Sequence, residues 1–358
     1  MNLVICWTHI SGYVAACWRA IAARGDVNLA VIGFKSHGMK QHHIQFQDDI
    51  VRGLNVRLLS EDEIANGELV KSLVVQHAPD VVVIPGWVHG SYRSLVTGPE
   101  LSRAKFVMTM DTPYRGSLRQ RLGRFKIAGY LRKFDRIVVP GERAWQLARF
   151  LGFPESKIVR GLYGIDYPTF APLLERRRAQ TGGWPRKFLF TGRYHAEKGI
   201  DVLLDAYRSY RAAVSDPWGL TCCGTGPMND DVSRAEGVTN MGFVQPDQMP
   251  DVLASHGVFV VASRFDPWPL AIVEACAAGL PVIHSETCGS AVELVRPYFN
   301  GLGVATEDAA ALARAMRWCH EHHDALPEMG ARGQPLAAAY SADMWVARWM
   351  RMFEELRH

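Results

Sequence analysis

The chain has 358 residues, of which 48% are hydrophobic and 21% are charged, with 32 Gly and 19 Pro. This length is about twice that of a single domain, and the composition excludes a disordered, collagen-like or coiled-coil chain. The net charge is +4, but Lys and Arg outnumber Asp and Glu by 22 to 13 in residues 1–165 and are outnumbered by 23 to 18 in residues 166–358. The first part therefore carries +9 and the second part −5, which indicates an anionic partner for the first part.

Short apolar runs alternate with helical patterns along the first part of the chain. Val- and Ile-rich runs separated by helices are typical of a parallel sheet that is covered on both faces. The predicted strands are 3–7, 27–33, 56–60, 80–86, 105–110, 136–140 and 156–164. Residues 166–186 then hold three Pro, a Gly-Gly pair and four Arg, and this composition predicts a linker.

The alternation restarts after the linker and predicts a second domain. The predicted strands are 187–192, 220–224, 238–242, 258–263 and 281–285, with helices near 199–212 and at 269–278. We therefore predict an α/β protein with one Rossmann-like domain over 1–165, another over 187–340, and a C-terminal helix over 341–358 that crosses back to the first. Such sheets bind ligands at the carboxyl ends of their strands, so we expect the site in a cleft between the domains.

The N-terminus and the cysteines indicate a cytoplasmic protein. The first residues, MNLVICWTHI, lack a basic region ahead of the apolar run and so predict a strand rather than a secretory signal. No apolar run approaches the roughly 18 residues of a membrane span. The seven cysteines are odd in number and form no C-x-x-C motif, which is typical of free thiols in a reducing cytosol. The histidine groups 41–43 and 320–323 lack zinc-site spacing, so no metal site is expected.

The segment FTGRYHAEKGIDVLLDAY (190–207) places two cations between a strand and a helix. The strand is predicted to end at Gly192, and the loop that follows presents Arg193 and Lys198. Arg offers a planar fork and Lys a point charge, so the pair suits an anion such as a diphosphate. On this segment alone, a solvated loop with unrelated charges is an equally good interpretation.

The segment 263–283 places two carboxylates around the start of a helix. Pro269 is expected at the first helical position and Gly279 at the C-terminal cap, which sets Asp266 in the preceding loop and Glu274 in the second turn. A helix N-terminus attracts anions, whereas the two carboxylates suit hydroxyl groups. A sugar nucleotide offers both, with hydroxyls at each end and a diphosphate between them. Taken alone, Glu274 equally fits a buried cap or a salt-bridge partner.

Two further turns carry glycines after predicted strands. TCGSAVELV (287–295) places Gly289 and Ser290 ahead of a helix, where backbone N–H groups are able to meet the same anion, and CCGTGP (222–227) places Gly224 after a strand. Each turn by itself is a common tight connection. The specific signal is the order and spacing of the four turns.

This order and spacing resemble those of the family-4 (group 1) retaining glycosyltransferases. The resemblance covers nearly the whole chain and includes GLYGIDYPTF (161–170), NMGFV (240–244) and the two acids separated by seven residues. It implies the GT-B fold, in which two Rossmann-like domains with parallel sheets face a central cleft.

The resemblance also implies roles for individual residues. Arg193 and Lys198 would hold the donor diphosphate, Asp266 would face the donor sugar, and Glu274 would bind the ribose. The Ser11-Gly12 loop would approach the sugar and phosphates, the 288–290 turn would add backbone contacts, and the base would be read near 242–244. The donor-binding residues predicted in this way are Gly12, Gly192, Arg193, Lys198, Gly224, Phe243, Val244, Asp266, Leu270, Ala271, Glu274, Gly289 and Ser290.

Four positions depart from the family pattern. Asp266 stands where the first Glu is usual, Pro269 replaces a Gly, and Ser11-Gly12 replaces a glycine pair. Many members carry a His where this chain reads Met110-Asp111. We therefore expect Asp111 to act as an acceptor-side polar contact or base, and we count it with Arg193, Lys198 and Asp266 as a predicted catalytic residue.

The implied activity is transfer of a sugar from a nucleotide-sugar donor, UDP-linked rather than GDP-linked, with retention of anomeric configuration. The implied acceptor is a saccharide or lipid-linked molecule in cell-surface polysaccharide or lipopolysaccharide synthesis, and no cofactor or metal is expected. The alternatives are a sugar-nucleotide epimerase of the same fold and a non-catalytic sugar-nucleotide binder. An NAD-dependent oxidoreductase is not expected, because Gly12 lacks a G-x-G-x-x-G partner motif.

The basic excess of the first part is concentrated in residues 113–136, which hold eight Lys/Arg and one acid. Leu118, Leu122, Phe125 and Gly129 recur at i, i+4, i+7 and i+11 and would form one apolar stripe flanked by cations. Such a helix fits an anionic membrane surface, and we expect peripheral association with the inner face of the cytoplasmic membrane. The alternative is a core-facing stripe with a basic solvated side. No nucleic-acid recognition motif is found, so we expect no nucleic-acid partner.

An acceptor pocket is predicted in the first domain. Trp87, His89, Asp111 and Tyr114 follow the ends of its strands and are the candidates for lining this pocket.

Overall fold

The computed structural model describes residues 1–8, 10, 12–35 and 50–357. The chain divides into two compact units, one formed by Met1–Ile165 with Ala342–His358 and the other by Asp166–Ser341. Each unit is built on a parallel sheet, which confirms the predicted α/β fold class.

The first unit contains all seven of its predicted strands, the last one shorter than predicted. The strands are β1 (Asn2–Trp7), β2 (Asn28–Phe34), β3 (Val56–Leu59), β4 (Val81–Pro85), β5 (Lys105–Thr109), β6 (Arg136–Val139) and β7 (Ile158–Arg160). The helices between them are α1 (Gly12–Ala22), α2 (Glu61–Ala65), α3 (Gly67–Val75), α4 (Gly90–Leu95), α5 (Leu118–Leu131) and α6 (Glu142–Phe150). The sheet runs in the order β3-β2-β1-β4-β5-β6-β7.

Both faces of this sheet are buried, which explains why its strands are almost continuously apolar. Along β1, Leu3 and Ile5 join a core on one face, whereas Val4 and Cys6 join a second core on the other. The C-terminal helix (Ala342–Arg357) packs in the first of these cores, on the side of α1. The indole nitrogens of Trp345 and Trp349 donate to backbone carbonyls of the segment 161–162 at 2.8 and 3.1 Å.

The second unit adds one strand that the sequence pattern did not predict. Its strands are β8 (Lys187–Thr191), β9 (Gly219–Cys223), β10 (Val238–Gly242), β11 (Val258–Val261), β12 (Val282–Ser285) and the additional β13 (Gly301–Val304). Its helices are α7 (Tyr167–Phe170), α8 (Leu173–Arg178), α9 (Ile200–Ala213), α10 (Asn229–Arg234), α11 (Met249–Ala254), α12 (Leu270–Ala277), α13 (Ala291–Leu294), α14 (Ala309–Glu321) and α15 (Leu326–Ala338).

The order of the second sheet, β10-β9-β8-β11-β12-β13, locates its ligand-binding edge. The chain moves outward from β8 through β9 and β10 and then returns to the other side of β8 at β11. This reversal opens a crevice at the carboxyl ends of β8 and β11, where ligands of such sheets bind.

The segment 166–186 contains the two short helices α7 and α8 and packs on the second unit. Arg177 in α8 is completely buried and donates to the carbonyls of Leu253, His256 and Ala278 at 2.7–2.8 Å. A charged side chain can be buried only when its donors are satisfied, so these bonds fix the segment firmly. Its Pro- and Gly-rich composition predicted a linker instead.

The cysteines are buried inside the protein, and two histidines of the group 320–323 contact polar atoms of other residues. All seven cysteines are buried and form no disulfide, in agreement with the prediction of free thiols. His320 contacts the Tyr210 hydroxyl at 2.8 Å, and His323 contacts the Trp184 carbonyl at 2.9 Å. Residues 41–43 lie outside the described residues. Among the helices that are described, none is both long and apolar enough to cross a membrane.

Candidate active site

Two loops at the carboxyl edge of the second sheet are bonded to each other. The loop after β8 runs from Gly192 through a short 3-10 turn at Ala196–Lys198, and the loop after β11 carries Asp266. The backbone N–H groups of Arg264 and Phe265 donate to the Glu197 carbonyl at 2.9 and 3.2 Å. These bonds bring the predicted phosphate-binding and sugar-facing segments together at the reversal of strand order.

Lys198 and Asp266 form a shielded ion pair inside this edge. Lys198 Nζ lies 2.6 Å from Asp266 Oδ2, and only 18% and 14% of the two side chains are exposed. Burial raises the pKa of Asp266 above its usual range, and the positive charge of Lys198 opposes that rise. The pair therefore places a cation and a carboxylate together at the sheet edge where ligands of such sheets bind.

Arg193 lies in a more open position. Its Nη2 is 2.7 Å from Glu197 Oε1, and 67% of its side chain is exposed. An exposed pair of this kind contributes little to stability, so the guanidinium is able to exchange its partner for an anion at low cost.

Arg264 braces the loop that carries Lys198, although it was not among the predicted site residues. Its guanidinium makes two hydrogen bonds to Asp201 at 2.8 and 2.7 Å, donates to the Ala196 carbonyl at 2.7 Å, and also pairs with Glu307. The bond to Ala196 reaches the turn that ends at Lys198, so Arg264 positions this turn rather than facing a ligand. Its position two residues before Asp266 was the sequence feature that could have indicated a role for Arg264 at this site.

The helix α12 begins one residue later than predicted. Pro269 is its N-cap residue, with a ψ of 104°, and Leu270 is the first helical residue; the prediction of Pro269 at the first helical position was wrong by one. Within the described part of the chain, the backbone N–H groups of Leu270 and Ala271 have no hydrogen-bond partner. A helix of eight residues thus presents unpaired donors and the positive end of its dipole beside Asp266.

Glu274 lies in the second turn of α12. No described residue hydrogen-bonds to its carboxylate, and burial raises its pKa to about 7. A carboxylate that is largely removed from water and has no hydrogen-bond partner is costly, so the partly exposed Glu274 favours a ligand whose hydroxyl groups can donate to it.

The predicted glycines after β8 and β9 form a close backbone contact. The N–H of Gly192 donates to the Cys223 carbonyl at 2.9 Å, and that of Gly224 donates to the Gly242 carbonyl at 2.7 Å. A Cβ added to Gly224 would lie 1.8 Å from the Gly192 carbonyl oxygen, so only glycine fits there. The partly exposed Phe243 and Val244 continue from Gly242 along the same edge.

The turn that contains Gly289 and Ser290 is engaged within the protein. The Gly289 N–H donates to the Asp266 carbonyl at 2.9 Å, and the Ser290 hydroxyl donates to the Pro269 carbonyl at 2.8 Å. A Cβ on Gly289 would lie 1.7 Å from the Pro267 carbonyl oxygen. In this structure the turn holds the Asp266 loop in place, whereas the sequence pointed to contacts with an anion.

In the first unit, Asp111 follows β5 and accepts a hydrogen bond from a tyrosine that was not predicted. The hydroxyl of Tyr163 lies 3.0 Å from Asp111 Oδ2. The ring of Tyr163 also packs edge-on against Tyr13, the second residue of α1, with 6.2 Å between ring centroids. Asp111 is thereby linked to the start of α1, beside Gly12. The position of Tyr163 after β7 was the sequence signal.

The fold itself does not require glycine at position 12. A Cβ there would meet no described atom within 4 Å, and Ser11 lies outside the described residues. The space beside α1 is therefore open to a side chain or a ligand.

The other predicted acceptor-side residues follow strand ends as expected. His89 precedes α4 and packs edge-on against Phe34, with 4.7 Å between centroids, and Tyr114 packs on Phe150 at 5.0 Å. Trp87 is partly buried next to the core on the same side. Among the described residues, no group of three His, Cys, Asp or Glu side chains is arranged to hold a metal ion.

Comparison with known proteins supports the resemblance. Residues 185–322 match the model of the family described as glycosyl transferases group 1. This match supports a relationship between the chain and the group 1 glycosyltransferases. The matched segment contains the Lys198–Asp266 pair, Arg193 and Glu274, so the candidate site lies within the part of the chain on which the family match rests.

Individual relatives cover part of the chain. D-rhamnosyltransferase WbpZ of Pseudomonas aeruginosa is 28% identical over 258 residues, or 66% of this chain and 65% of that protein. The lipopolysaccharide core biosynthesis mannosyltransferase LpsB of Rhizobium meliloti is 28% identical over 201 residues, or 52% of this chain and 55% of that protein. The chain thus spans less than two thirds of the length of these curated relatives.

Solved structures match the whole chain at the level of the fold. HepE of Anabaena in complex with UDP superposes with a TM-score of 0.77 at 15% identity, covering 99% of this chain and 100% of that one. The two parallel-sheet, Rossmann-like units therefore have the GT-B fold.

Proposed function

We propose that this protein is a glycosyltransferase that moves a sugar from a nucleoside-diphosphate donor to a hydroxyl of a saccharide or lipid-linked acceptor. The observation that carries the proposal is the 2.6 Å contact between Lys198 and Asp266 at the reversal of strand order, beside the unpaired N–H groups that begin α12. Cations and aligned amides suit a diphosphate, and the carboxylates suit hydroxyl groups at its two ends.

The donor diphosphate would lie between Arg193, Lys198 and the N–H groups of Leu270 and Ala271. Its negative charge would replace Asp266 as the partner of Lys198. The released Asp266 carboxylate would then accept hydrogen bonds from the donor sugar, while Glu274 would accept them from the ribose. The base would lie near Phe243 and Val244, and Gly12 of the first unit stays a proposed donor-binding residue.

In the reaction, the bond between the anomeric carbon and the phosphate oxygen breaks, and a bond from the acceptor oxygen to the anomeric carbon forms. The departing diphosphate gains negative charge, which Arg193 and Lys198 would stabilise in place in the transition state. We propose attack from the face that the diphosphate leaves, with the acceptor proton passing to the leaving phosphate oxygen, so that the configuration is retained.

The carboxylates of the second unit offer little support for a covalent route. A protein nucleophile would have to approach the opposite face of the sugar, as in two-carboxylate glycosidases. Asp266, in the loop before α12, is assigned to hydrogen bonds with hydroxyl groups of the donor sugar, and Glu274, in the second turn of α12, is assigned to the ribose. These positions favour direct transfer without a metal ion, since the two cations already supply positive charge.

On the acceptor side, Asp111 would orient the acceptor hydroxyl or take its proton, and the Tyr163 hydroxyl would hold Asp111 in place. Trp87, His89 and Tyr114 would line the acceptor pocket. The name of LpsB supports a role in lipopolysaccharide synthesis, and the name of WbpZ supports sugar transfer. The UDP in the HepE structure supports a UDP-linked rather than a GDP-linked donor.

A donor panel tests the proposal. The full chain is incubated with UDP- and GDP-linked sugars, with and without lipopolysaccharide-core or polyprenyl-linked saccharide acceptors, and nucleoside diphosphate release is measured. Transfer predicts release that rises with an acceptor, and proton NMR of the product should show the anomeric configuration of the donor. Isomerisation of the donor without an acceptor would indicate an epimerase, and a thermal shift without turnover would indicate a binding protein; either result overturns the proposal.

A further inference from the structure

Helix α5 carries apolar residues on two opposite faces. Ile127, Tyr130 and Leu131 face the first unit, where Leu131 is buried and the other two pack against its core. Leu118, Leu122 and Phe125 lie on the other side and are 74%, 65% and 72% exposed. The apolar stripe recognised in the sequence is therefore not the face that packs on the core, and the core-facing alternative is wrong for this stripe.

The exposed stripe is a concentrated apolar surface. The structure describes ten large hydrophobic side chains as exposed, and four of them fall between Tyr114 and Phe125. Scattered exposed hydrophobic residues are normal, whereas a contiguous group of this kind marks an interaction surface.

Cations border the stripe on both sides. Each residue advances a helix by about 100°, so one border falls at 121 and the other at 119 and 126, and positions 132 and 133 follow directly after the last turn of α5. These border residues are Arg119, Arg121, Lys126, Arg132 and Lys133, and all are exposed. The single acid of residues 113–136, Asp135, accepts a hydrogen bond from the Phe106 N–H at 2.9 Å and lies outside the stripe.

The cations of the first turns oppose the helix dipole. Helix α5 has no acid in its first turn, while Arg119 and Arg121 lie near its positive end. This placement weakens the isolated helix, and residues that break such a local rule are characteristic of functional surfaces.

A basic groove adjoins the C-terminal end of the stripe. It is lined by Arg93, Ser94 and Thr97 from the region of α4 and by Tyr130 and Lys133 from the region of α5. The Arg93 guanidinium lies 5.4 Å from the centre of the Tyr130 ring, and the Tyr130 hydroxyl is fixed by a 2.9 Å bond to the Gly86 carbonyl. Two cations on a fixed wall suit a phosphate group.

We propose that α5 docks on an anionic phospholipid bilayer. Leu118, Leu122 and Phe125 insert among the acyl chains, the bordering cations contact lipid phosphates, and the groove at Arg93 and Lys133 takes one headgroup phosphate. The complementary charge and the interleaved apolar stripe favour a bilayer over nucleic acid, which would use the cations but not the stripe. The residues of this surface are not among those assigned to donor binding, so the test does not depend on the transfer reaction.

Vesicle flotation separates the contributions of charge and insertion. The full chain should float with vesicles of phosphatidylglycerol and phosphatidylcholine at low salt, but not with pure phosphatidylcholine. R119Q/R121Q/K126Q and L118Q/L122Q/F125Q should each reduce the bound fraction about tenfold or more. The matched charge control is R176Q/R208Q/R234Q, which removes three exposed cations from the second unit. The apolar control is V292Q, which changes one exposed hydrophobic residue of the second unit. Both controls should float like the unaltered chain.

A fluorescent label tests insertion directly. All seven native cysteines are buried, so Phe125→Cys offers one exposed thiol for an environment-sensitive dye, with Arg208→Cys as the control position. A blue shift at position 125 with anionic vesicles, and none at position 208, is the expected result. Absence of flotation, flotation unchanged in either triple variant, or an unshifted dye at position 125 would overturn the proposal. Salt-sensitive binding to duplex DNA that the same variants abolish would also overturn the proposal. A dimer of the unaltered chain that dissociates in L118Q/L122Q/F125Q, with no vesicle binding by either protein, would overturn it as well.

Discussion

Lys198 Nζ lies 2.6 Å from Asp266 Oδ2, although the two residues are 68 positions apart in the chain. The contact joins the cation that we assign to the donor diphosphate to the carboxylate that we assign to the donor sugar. Each holds the other in this structure, and a diphosphate that takes Lys198 would release Asp266 for the sugar. Removal of the cation and neutralisation of the carboxylate should therefore have opposite effects on diphosphate binding.

Lys198→Ala should lower kcat/KM for transfer by about 100-fold or more, or ~3 kcal/mol, because it removes a fixed positive charge from the departing diphosphate. Arg193→Ala should have the same direction of effect. The matched control is Lys187→Ala, which alters an exposed cation at the amino end of the same strand, β8. Initial rates with a saturating acceptor measure the effect, and full activity in either site variant would remove the diphosphate assignment.

Asp266→Asn should separate binding from turnover. The neutral side chain no longer competes for Lys198, so the affinity for a nucleoside diphosphate should rise by roughly threefold to tenfold, or ~1 kcal/mol. Transfer should nevertheless fall, because the carboxylate that would accept hydrogen bonds from the sugar is lost. Calorimetry and kinetics on the same sample measure the two effects, and weaker diphosphate binding with unchanged kcat would contradict the account.

Glu274→Gln should change stability in a pH-dependent way. Burial raises the pKa of Glu274 to about 7, above that of the unfolded chain, so the group favours the folded state at low pH and this benefit is lost as the pH rises through 7. The difference in melting temperature between the variant and the unaltered protein should grow by about 2–4 °C from pH 5 to pH 8 in favour of the variant, which has no charge to bury at pH 8.

The same substitution should weaken donor binding at pH 8, because Gln cannot accept two hydrogen bonds from a ribose diol as a carboxylate does. Melting curves and UDP titrations at pH 5 and pH 8 give both results. A variant that is stabilised without loss of nucleotide affinity would leave Glu274 as a structural group and contradict its assignment to the ribose.

Arg264→Lys should act through the position of Lys198. Lysine cannot reproduce the paired bonds to Asp201 together with the bond to the Ala196 carbonyl, so the turn at 196–198 should loosen. We expect an increase in donor KM of about tenfold with a smaller change in kcat. A double-mutant cycle with Lys198→Ala should show strong coupling between the two sites, whereas additive effects would show that Arg264 acts independently of Lys198.

Two glycines should respond in opposite ways to alanine. Gly224→Ala places a Cβ 1.8 Å from the Gly192 carbonyl oxygen and should destabilise the second unit by about 1–3 kcal/mol. Gly12→Ala meets no described atom within 4 Å and should fold normally, yet it should reduce donor turnover if the sugar approaches there. Urea unfolding and transfer rates distinguish the two, and normal turnover by Gly12→Ala would place the donor sugar elsewhere.

The sequence predicted the strands well because a buried parallel strand has a local signature. Twelve short apolar runs correspond to strands, and the exception, β13, has the sequence Gly-Leu-Gly-Val, in which two glycines remove the apolar pattern. Glycine is required at its first position, since a Cβ on Gly301 would lie 2.2 Å from the Val282 carbonyl oxygen. The contact that requires this glycine is not visible in the local pattern.

Long-range polar contacts account for most of what the sequence did not predict. Arg177 stands in a run of three arginines that looks solvated, yet it is completely buried against carbonyls 76–101 residues away. The Lys198–Asp266 and Tyr163–Asp111 contacts are also long-range, with separations of 68 and 52 residues. Composition and periodicity indicate the residue types at the strand ends, but the pairing depends on the strand order of each sheet.

Helix α5 shows the same limit on a smaller scale. Its periodicity revealed one apolar stripe, but residues on the opposite face supply the packing, and the choice between the two faces is set by the strands and helices around them. Isolated sequence patterns therefore located the basic apolar surface without deciding which way it faces.

Nucleoside diphosphate binding by the Lys198→Ala variant tests the central claim most directly. Calorimetric titration of UDP and GDP should show that at least one of them binds the unaltered protein. That binding should weaken about 100-fold in Lys198→Ala and stay unchanged in Lys187→Ala. Equal affinity in all three proteins, or no binding of either nucleotide to the unaltered protein, would contradict a donor site at the Lys198–Asp266 pair.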